Sequence, residues 1–299
     1  TATISRNGDL VHRMYLEVSG TPVAGADNLS AIIDSVELEI GGQKIDKHSG
    51  KWMEVWAELT EPNTTGEVGQ LDETGGTLFQ MMSGMGGVEG AVSAGRWFIP
   101  LQFWFCRNPG LALPLIALQY HEVKVILNHI ILTVIDTNPT NQLWCDYIYL
   151  DTDERRRFAQ VSHEYLIEQV QEQALSTSGT SNDLNFNHPV KELIWASSTG
   201  ASGDLAGSTL VIPATQGTTY QLKLNGHDRF AARDSRYFSR TQVWAHHSGA
   251  GGLDSTAQGQ GKHNDSICVY SFALKPEEHQ PSGTCNFSRI DNAKLDITT

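Results

Sequence analysis

The sequence predicts an all-β protein, because short strand patterns separated by glycine-rich turns occur along most of its length. The chain has 299 residues, of which 28 are glycine, and only 18% are charged. Residues 35–40 alternate polar and apolar side chains, a pattern typical of strands that bury one face. Clear helical patterns are confined to two short segments. We therefore expect two strand-rich halves that form tandem β-sandwiches.

Two segments of the chain have the pattern of a β-hairpin. Residues 35–40 are followed by Gly41-Gly42 and then by a second strand pattern at 43–46. A two-residue glycine connection favours the primed turn that joins antiparallel strands. Residues 220–224 repeat the alternation and end at Asn225-Gly226, which is another turn of this type.

Other predicted strands are apolar on both faces, namely residues 97–105, 143–150 and 267–274. A strand that is apolar on both sides needs cover on both sides. We therefore expect packed sandwiches whose outer faces are covered by another barrel, a long loop or another subunit.

Residues 52–59 and 152–159 are the two helical segments. In the first, Trp52, Val55, Trp56 and Leu59 fall on one face. In the second, Asp151 or Thr152 can cap the helix, and acidic residues occupy its first turn.

The second helix divides the chain into two parts of similar size. The predicted domains are a first sandwich at 1–151, a linker helix at 152–161 and a second sandwich at 162–299. The strand pattern is expected to resume at residues 163–168.

Charge and cysteine content narrow the function classes. The net charge is −13 and the pI is about 5.2, so direct binding to nucleic acid is not expected. The densest basic clusters, at 155–157 and at Arg229, Arg233, Arg236 and Arg240, have acidic neighbours. No apolar stretch reaches the length of a membrane span. The four cysteines lie far apart and without a CxxC pair, so we expect small buried apolar residues in a reducing compartment.

No catalytic, metal or cofactor motif occurs. The sequence contains no nucleophile elbow, zinc-protease motif or phosphate-binding loop. His246-His247 is the one adjacent histidine pair, and we expect it at a strand end or an interface because neighbouring side chains on a strand point to opposite faces. His121 is expected to have a structural role in a strand, and Glu277-Glu278 to be a solvated turn. The predicted catalytic residues, metals and cofactors are therefore none.

Four sequons are candidate glycosylation sites, because each has the pattern N-x-[ST] that precedes carbohydrate attachment. They begin at Asn28, Asn63, Asn264 and Asn286.

Residues 107–123, RNPGLALPLIALQYHEV, resemble a signature of the major capsid proteins of nucleocytoplasmic large DNA viruses. Five further blocks resemble the family in the same order, at residues 5–10, 149–159, 186–193, 224–230 and 281–292. The matches extend over nearly the whole chain. The sequence of the 107–123 block resembles relatives that infect algae or amoebae more than it resembles insect or fish iridoviruses.

The resemblance implies a double jelly roll of two eight-stranded sandwiches. It also implies a structural virion protein that forms homotrimers, and trimers with a pseudo-hexagonal outline that tile an icosahedral shell. The implied partners are neighbouring capsomers and minor capsid proteins over an internal lipid membrane, with assembly in the host cytoplasm.

The apolar part of residues 107–118 is predicted to be buried against the partner barrel or another subunit, because contiguous exposed apolar surface usually marks an interface. The residues assigned to it are Leu111, Leu113, Leu115, Ile116 and Leu118.

The family pattern extends beyond both ends of this sequence, so we expect a chain that lacks the N-terminal strands of the first jelly roll and the C-terminal strands of the second. Two alternatives stay open at this point. One is a minor capsid or penton-like jelly-roll protein. The other is a carbohydrate-binding or cupin-like β-sandwich, which would need an aromatic platform or a metal cluster in a concave site.

Overall fold

The structure is a computed structural model that describes most of the chain. The described residues are 1–22, 29–62, 77–86, 95–131, 135–175, 181–198, 210–211, 218–249, 251, 253–254, 262–263 and 265–298. Within these ranges, no helix combines the length and the apolar character that crossing a bilayer requires.

The chain forms two compact units. The first consists of Thr1–Glu54 and Gly69–Val170, and the second of Val55–Val68 and Gln171–Thr299. This division differs from the sequence-based one, because the helix at residue 152 and the segment that follows it group with the first unit. The boundaries of the two jelly rolls at 1–151 and 162–299 stay a prediction.

Strands are the main elements of both units. The first unit contains β1 Ala2–Thr3, β2 Leu10–Pro22, β3 Ile33–Ile40, β4 Gln43–Ser49, β5 Gly95–Pro100, β6 Leu113–Pro114, β7 Val123–His129 and β8 Ile135–Ile148. The second contains β9 Ser181–Asp183, β10 Pro189–Val190, β11 Glu192–Ser198, β12 Leu210–Val211, β13 Thr219–Leu224, β14 His227–Asp228, β15 Arg233–Asp234, β16 Leu253–Asp254, β17 Lys262–His263, β18 Ile267–Ser271, β19 Cys285–Asn286 and β20 Ala293–Thr298.

The described helices are short. They are α1 Gly50–Thr60, α2 Leu78–Ser83, α3 Trp104–Arg107, α4 Thr152–Gln160 and α5 Gln242–His246. Short 3₁₀ turns occur at Leu29–Ile32, Pro109–Leu111 and Phe287–Arg289, and a π-helical turn at Tyr237–Thr241 leads into α5.

The first unit contains two four-stranded sheets. One has the order β1-β7-β3-β4, and in the other β2 pairs with β5, β6 and β8. The predicted hairpin is confirmed in β3 and β4, where Gly41 and Gly42 have φ of 60° and 82°. These positive angles are the reason that glycine is favoured in the turn.

The predicted solvent-exposed face of β3 is wrong at two positions, because Ser35 and Glu37 are both buried. Val36 and Leu38 are buried as expected, but Glu37 on the opposite face is also only 8% exposed. Its carboxylate lies 2.7 Å from Lys44 Nζ and 3.6 Å from Lys47 Nζ. The hydrogen bond from Lys44 is the largest cause that lowers the pKa of Glu37, so the buried carboxylate of Glu37 stays ionised.

The second unit is built from smaller antiparallel sheets. β13 lies between β20 on one side and β14 and β15 on the other, β20 also pairs with β9, and β11 lies between β12 and β18. The predicted hairpin at Asn225-Gly226 is confirmed, with φ of 50° and 78°. The core packs Trp195 against Tyr220 and Phe238, with ring centroids 5.2 and 5.3 Å apart.

Three predicted strands are wrong in part, and one of them, 267–274, ends at Ser271. The apolar run at 97–105 is a strand only to Pro100. Trp104, Phe105 and Cys106 belong to α3 and are buried there. A helical turn buries consecutive apolar residues as well as a strand does, so periodicity cannot distinguish the two over so short a run. Residues 163–168 are extended but join no sheet.

Both predicted helices are confirmed. In α4, the Asp151 carboxylate accepts a hydrogen bond from the Thr152 N–H at 2.7 Å. In α1, the predicted apolar face is present, but burial extends around the helix to Glu54 and Glu58. The Glu54 carboxylate accepts a hydrogen bond from the Gly86 N–H, which explains how an acidic residue is buried there.

Candidate functional site

In the first unit, three of the sequence blocks that carry the family resemblance meet at Asp9. Its Oδ2 accepts a hydrogen bond from the Leu150 N–H at 2.9 Å, and its Oδ1 lies 2.7 Å from both Nε and Nη2 of Arg155. Its backbone oxygen accepts a hydrogen bond from the Ile116 N–H. The bond from Leu150 is the largest cause that lowers the pKa of Asp9, so the carboxylate stays ionised in a buried position.

Residues beside Asp9 reinforce this junction. The Tyr147 hydroxyl donates to the Ser5 backbone oxygen at 2.8 Å, and Arg6 Nη2 donates to the Leu118 oxygen at 2.8 Å. A Cβ at Gly8 would lie 2.6 Å from Cβ of Tyr147, so a larger residue does not fit there without movement. The signature residues of this unit therefore hold three distant segments together.

The predicted interface residues divide into two groups. Leu113 and Leu115 are buried within their own unit, at 6% and 1% exposure, and Leu113 belongs to β6, which pairs with β2. Leu111, Ile116 and Leu118 are partly exposed. Burial of the first two therefore needs no second chain, and the assignment of the segment to an interface stays a prediction.

Leu118 lines an open, mostly apolar groove of the first unit with a volume of about 410 Å³. His121, which the sequence placed in a strand, lies in the turn before β7 at the rim of this groove. The lining residues are Ile40, Gly41, Gln43, Ile45, Trp104, Leu118, His121 and Ile167.

In the second unit, the remaining blocks also meet one another. Ser288 Oγ accepts a hydrogen bond from the His188 N–H at 2.7 Å, beside the short ladder of β10 with β19. Asn225 Oδ1 accepts hydrogen bonds from the N–H groups of Asp291 and Asn292, at 2.9 and 3.2 Å. These polar groups connect turns and strand ends, so their role is structural.

A buried charged cluster surrounds His247 in the second unit. Its Nε2 lies 2.9 Å from Glu192 Oε2 and its Nδ1 lies 3.0 Å from Glu277 Oε1, while the imidazole is fully covered. Because ionised carboxylates only accept hydrogen bonds, both ring nitrogens carry protons. Burial lowers the pKa of His247, but the hydrogen bonds to both glutamates outweigh it and raise the pKa to about 9.

Sequence analysis missed this cluster. It placed His246-His247 at a strand end or an interface, whereas the pair lies at the end of α5, and it treated Glu277 as part of a solvated turn. Glu277 also accepts hydrogen bonds from the N–H and the hydroxyl of Ser248, at 2.9 Å each. Glu192 and Glu277 are 55 and 30 residues from His247 in sequence, so no local pattern connects them.

Of the four candidate glycosylation sites, Asn286 lies in the described part of the chain, and Asn28, Asn63 and Asn264 lie outside it. Asn286 is exposed, and its Oδ1 accepts a hydrogen bond from the Ser288 N–H at 3.1 Å. Attachment of carbohydrate at these four positions stays a prediction.

The cysteines and the metal-ligating residues define no reactive centre in the described ranges. All four cysteines are free, and burial raises the pKa of Cys145 to about 11 and that of Cys106 to about 12. No group of three or more His, Cys, Asp or Glu residues there has an arrangement suited to a metal ion.

Two family models match the chain one after the other. The model of the major capsid protein N-terminus matches residues 1–151, and that of the large eukaryotic DNA virus major capsid protein matches residues 154–299. The major capsid protein of Pyramimonas orientalis virus is 48% identical over 99% of this chain and 78% of its own length. That of Paramecium bursaria Chlorella virus 1 is 39% identical over 99% of this chain and 74% of its own.

Solved structures agree. A chain from the quasi-atomic model of the PBCV-1 virus capsid matches with a TM-score of 0.74 and 35% identity, over 99% of this chain and 78% of that one. The Faustovirus major capsid protein, at 12% identity, shares the fold with a TM-score of 0.66 over 99% of this chain and 83% of that one.

The fold is an all-β double jelly roll, and the polar clusters described above join its segments. This fold is that of the viral capsid proteins that the chain matches. The chain belongs to the family of large eukaryotic DNA virus major capsid proteins, and it is a structural capsid subunit. The predicted fold and family are thus confirmed.

Proposed function

We propose that three copies of this chain associate into a capsomer with a pseudo-hexagonal outline and that these capsomers tile an icosahedral shell. The 48% identity to a major capsid protein over 99% of the chain is the observation that carries this proposal. Three chains with two jelly rolls each place six similar jelly rolls around a three-fold axis. A trimer with this outline packs well in a hexagonal lattice.

The proposal extends to the surroundings of the capsomer. Its contacts are neighbouring capsomers and minor capsid proteins, the shell overlies an internal lipid membrane, and assembly takes place in the host cytoplasm. The protein then acts in the virion by self-association, without catalysis or a cofactor. The family matches favour a major capsid role over a carbohydrate-binding or cupin-like one.

Negative-stain imaging of the purified chain tests the oligomeric part of the proposal. We expect particles with three-fold symmetry and a hexagonal outline, and light scattering should give three times the chain mass. A chain that stays monomeric at every concentration and salt condition would contradict the proposal.

A further inference from the structure

Helix α4, Thr152–Gln160, lies on the surface of the first unit, and none of its residues is buried. A helix of nine residues is marginal in water by itself, and a helix that is polar on all sides needs a neighbour or pairs of charges on its own surface. Arg156 Nη1 and Asp153 Oδ1 are 3.9 Å apart, and their side chains are 66% and 90% exposed. Such an exposed pair contributes little, so the charges of α4 stay available to a neighbour.

The first unit holds α4 by one face. Arg155 bonds to the buried Asp9 carboxylate, and the Phe158 ring stacks on the His163 ring with centroids 4.7 Å apart. His163 Nε2 also donates a hydrogen bond to the Phe158 backbone oxygen at 3.0 Å. These contacts fix the helix in position, so the opposite face is already ordered and loses less entropy when it binds a partner.

The opposite face of α4 carries charges of both signs in a fixed order. With 3.6 residues per turn, the residues on this face are Asp153, Arg156, Arg157 and Gln160, and all four are exposed. Asp153 belongs to the first turn of the helix, and Arg157 belongs to the last. The face is therefore negative near the start of α4 and positive near its end.

Such a face is complementary to a copy of itself in the antiparallel orientation. When two copies of α4 are related by a two-fold axis, Asp153 of each copy lies opposite Arg157 of the other, so the same ion pair forms twice. The two helix dipoles also run in opposite directions, and opposite charges across a helix pair determine its orientation. The parallel orientation would instead place like charges side by side.

We propose that α4 pairs in the antiparallel orientation with α4 of a second copy of this chain. A capsomer with three-fold symmetry contains no two-fold axis, so the contact joins chains of two neighbouring capsomers. The inference rests on the proposed function, because an icosahedral shell has two-fold axes that relate such capsomers. The helix is about 14 Å long, so each contact is small, and many of them act together in a shell.

Exchange of charges within α4 tests this pairing in the full chain. The single variants are Asp153→Arg and Arg157→Asp, and the double variant is Asp153→Arg/Arg157→Asp. Each single variant makes both ion pairs of the contact repulsive. The double variant restores two attractive pairs at the net charge of the wild type, and an equimolar mixture of the two single variants does the same. Sedimentation velocity at about 0.1 M NaCl, where the Debye length is about 10 Å, measures the association of trimers with one another.

We expect each single variant to lose at least about tenfold in the association constant between trimers, since two attractive pairs become repulsive. The double variant and the mixture should recover this constant to within about threefold. Trimers should persist in every variant, and circular dichroism should show that each is folded. The double variant opposes the helix dipole at both ends, so its recovery could not come from a more stable helix.

Three outcomes would overturn the inference and leave the proposed function intact. The first is equal association of wild-type trimers and of both single variants. The second is a change in opposite directions, because Asp153→Arg makes this acidic chain less negative and Arg157→Asp makes it more negative, so net charge alone would explain it. The third is a folded double variant and a mixture that both fail to recover.

Failure of the proposed function would look different. Wild-type chains that form dimers but no trimers, with the same dependence on the charges of α4, would contradict the three-fold capsomer and support the pairing. Wild-type trimers that never associate further would contradict the pairing and support the capsomer.

Discussion

At the scale of single residues, two buried ionic groups organise the two units. Asp9 joins the segments around Ile116, Leu150 and Arg155 in the first unit, and His247 lies between Glu192 and Glu277 in the second. Each ionised group is covered, and each has partners for its hydrogen-bonding atoms. Removal of one partner of such a group is costly, because the remaining charge is left without compensation.

His247 makes the stability of the second unit dependent on pH. Its pKa is about 9 in the folded chain and about 6.5 in an unfolded one. A raised folded-state pKa stabilises the fold fully below about pH 6.5, and this contribution is lost as pH rises towards 9. The contribution is on the order of 3 kcal/mol.

We therefore predict that His247→Gln lowers the melting temperature most at pH 6 and progressively less at higher pH. Thermal unfolding at a series of pH values measures this difference. His246→Gln is the matched control, since the Nδ1 of His246 is hydrogen-bonded to the Leu274 backbone oxygen rather than to a carboxylate. If His247→Gln destabilised the chain equally at every pH, the conclusion that His247 is protonated in the folded chain would be wrong.

At the scale of elements, side chains hold the part of the extended segment after α4 that follows the strand predicted at 163–168. In the second unit, the side-chain amides of Gln171 and Gln173 each make two hydrogen bonds to the backbone. Gln171 accepts from the Asn187 N–H and donates to its oxygen, at 2.9 and 3.2 Å. Gln173 accepts from the Asn185 N–H and donates to the Asp183 oxygen, at 2.9 and 2.6 Å.

Replacement of these glutamines should loosen the segment without unfolding the unit. We expect Gln171→Ala/Gln173→Ala to increase hydrogen exchange at the Asn185 and Asn187 amides several-fold, because each lost bond contributes about 1 kcal/mol. Glu172→Ala is the control, since Glu172 lies between them, is exposed and bonds to neither amide. Exchange rates that do not change in the double variant would show that backbone contacts hold the segment.

At the scale of the whole molecule, the family and the fold describe a subunit that works by association with copies of itself. An apolar association surface is exposed in the single chain and covered in the assembly. Leu111, Ile116 and Leu118 meet the first condition, whereas Leu113 and Leu115 are already covered. A test of the predicted interface therefore has to use the first group.

We predict that Leu118→Asp prevents trimer formation while the monomer stays folded, because the charge would be placed in a desolvated contact. Leu113→Asp should instead destabilise the first unit itself, by several kcal/mol, since the site is 6% exposed within the chain. Light scattering and thermal unfolding separate the two effects. If the Leu118 variant formed normal trimers, Leu118 would not be part of the interface.

The sequence by itself determined the all-β class, the two hairpins at Gly41-Gly42 and Asn225-Gly226, the two main helices and the family. Turn angles, helix caps and alternation depend on neighbours in the chain, so they can be predicted locally. Only the tertiary structure decided that Glu37 and His247 are buried with charged partners and that Leu113 and Leu115 are covered within one chain. Burial depends on residues that are distant in sequence, and no local pattern specifies which of them come together.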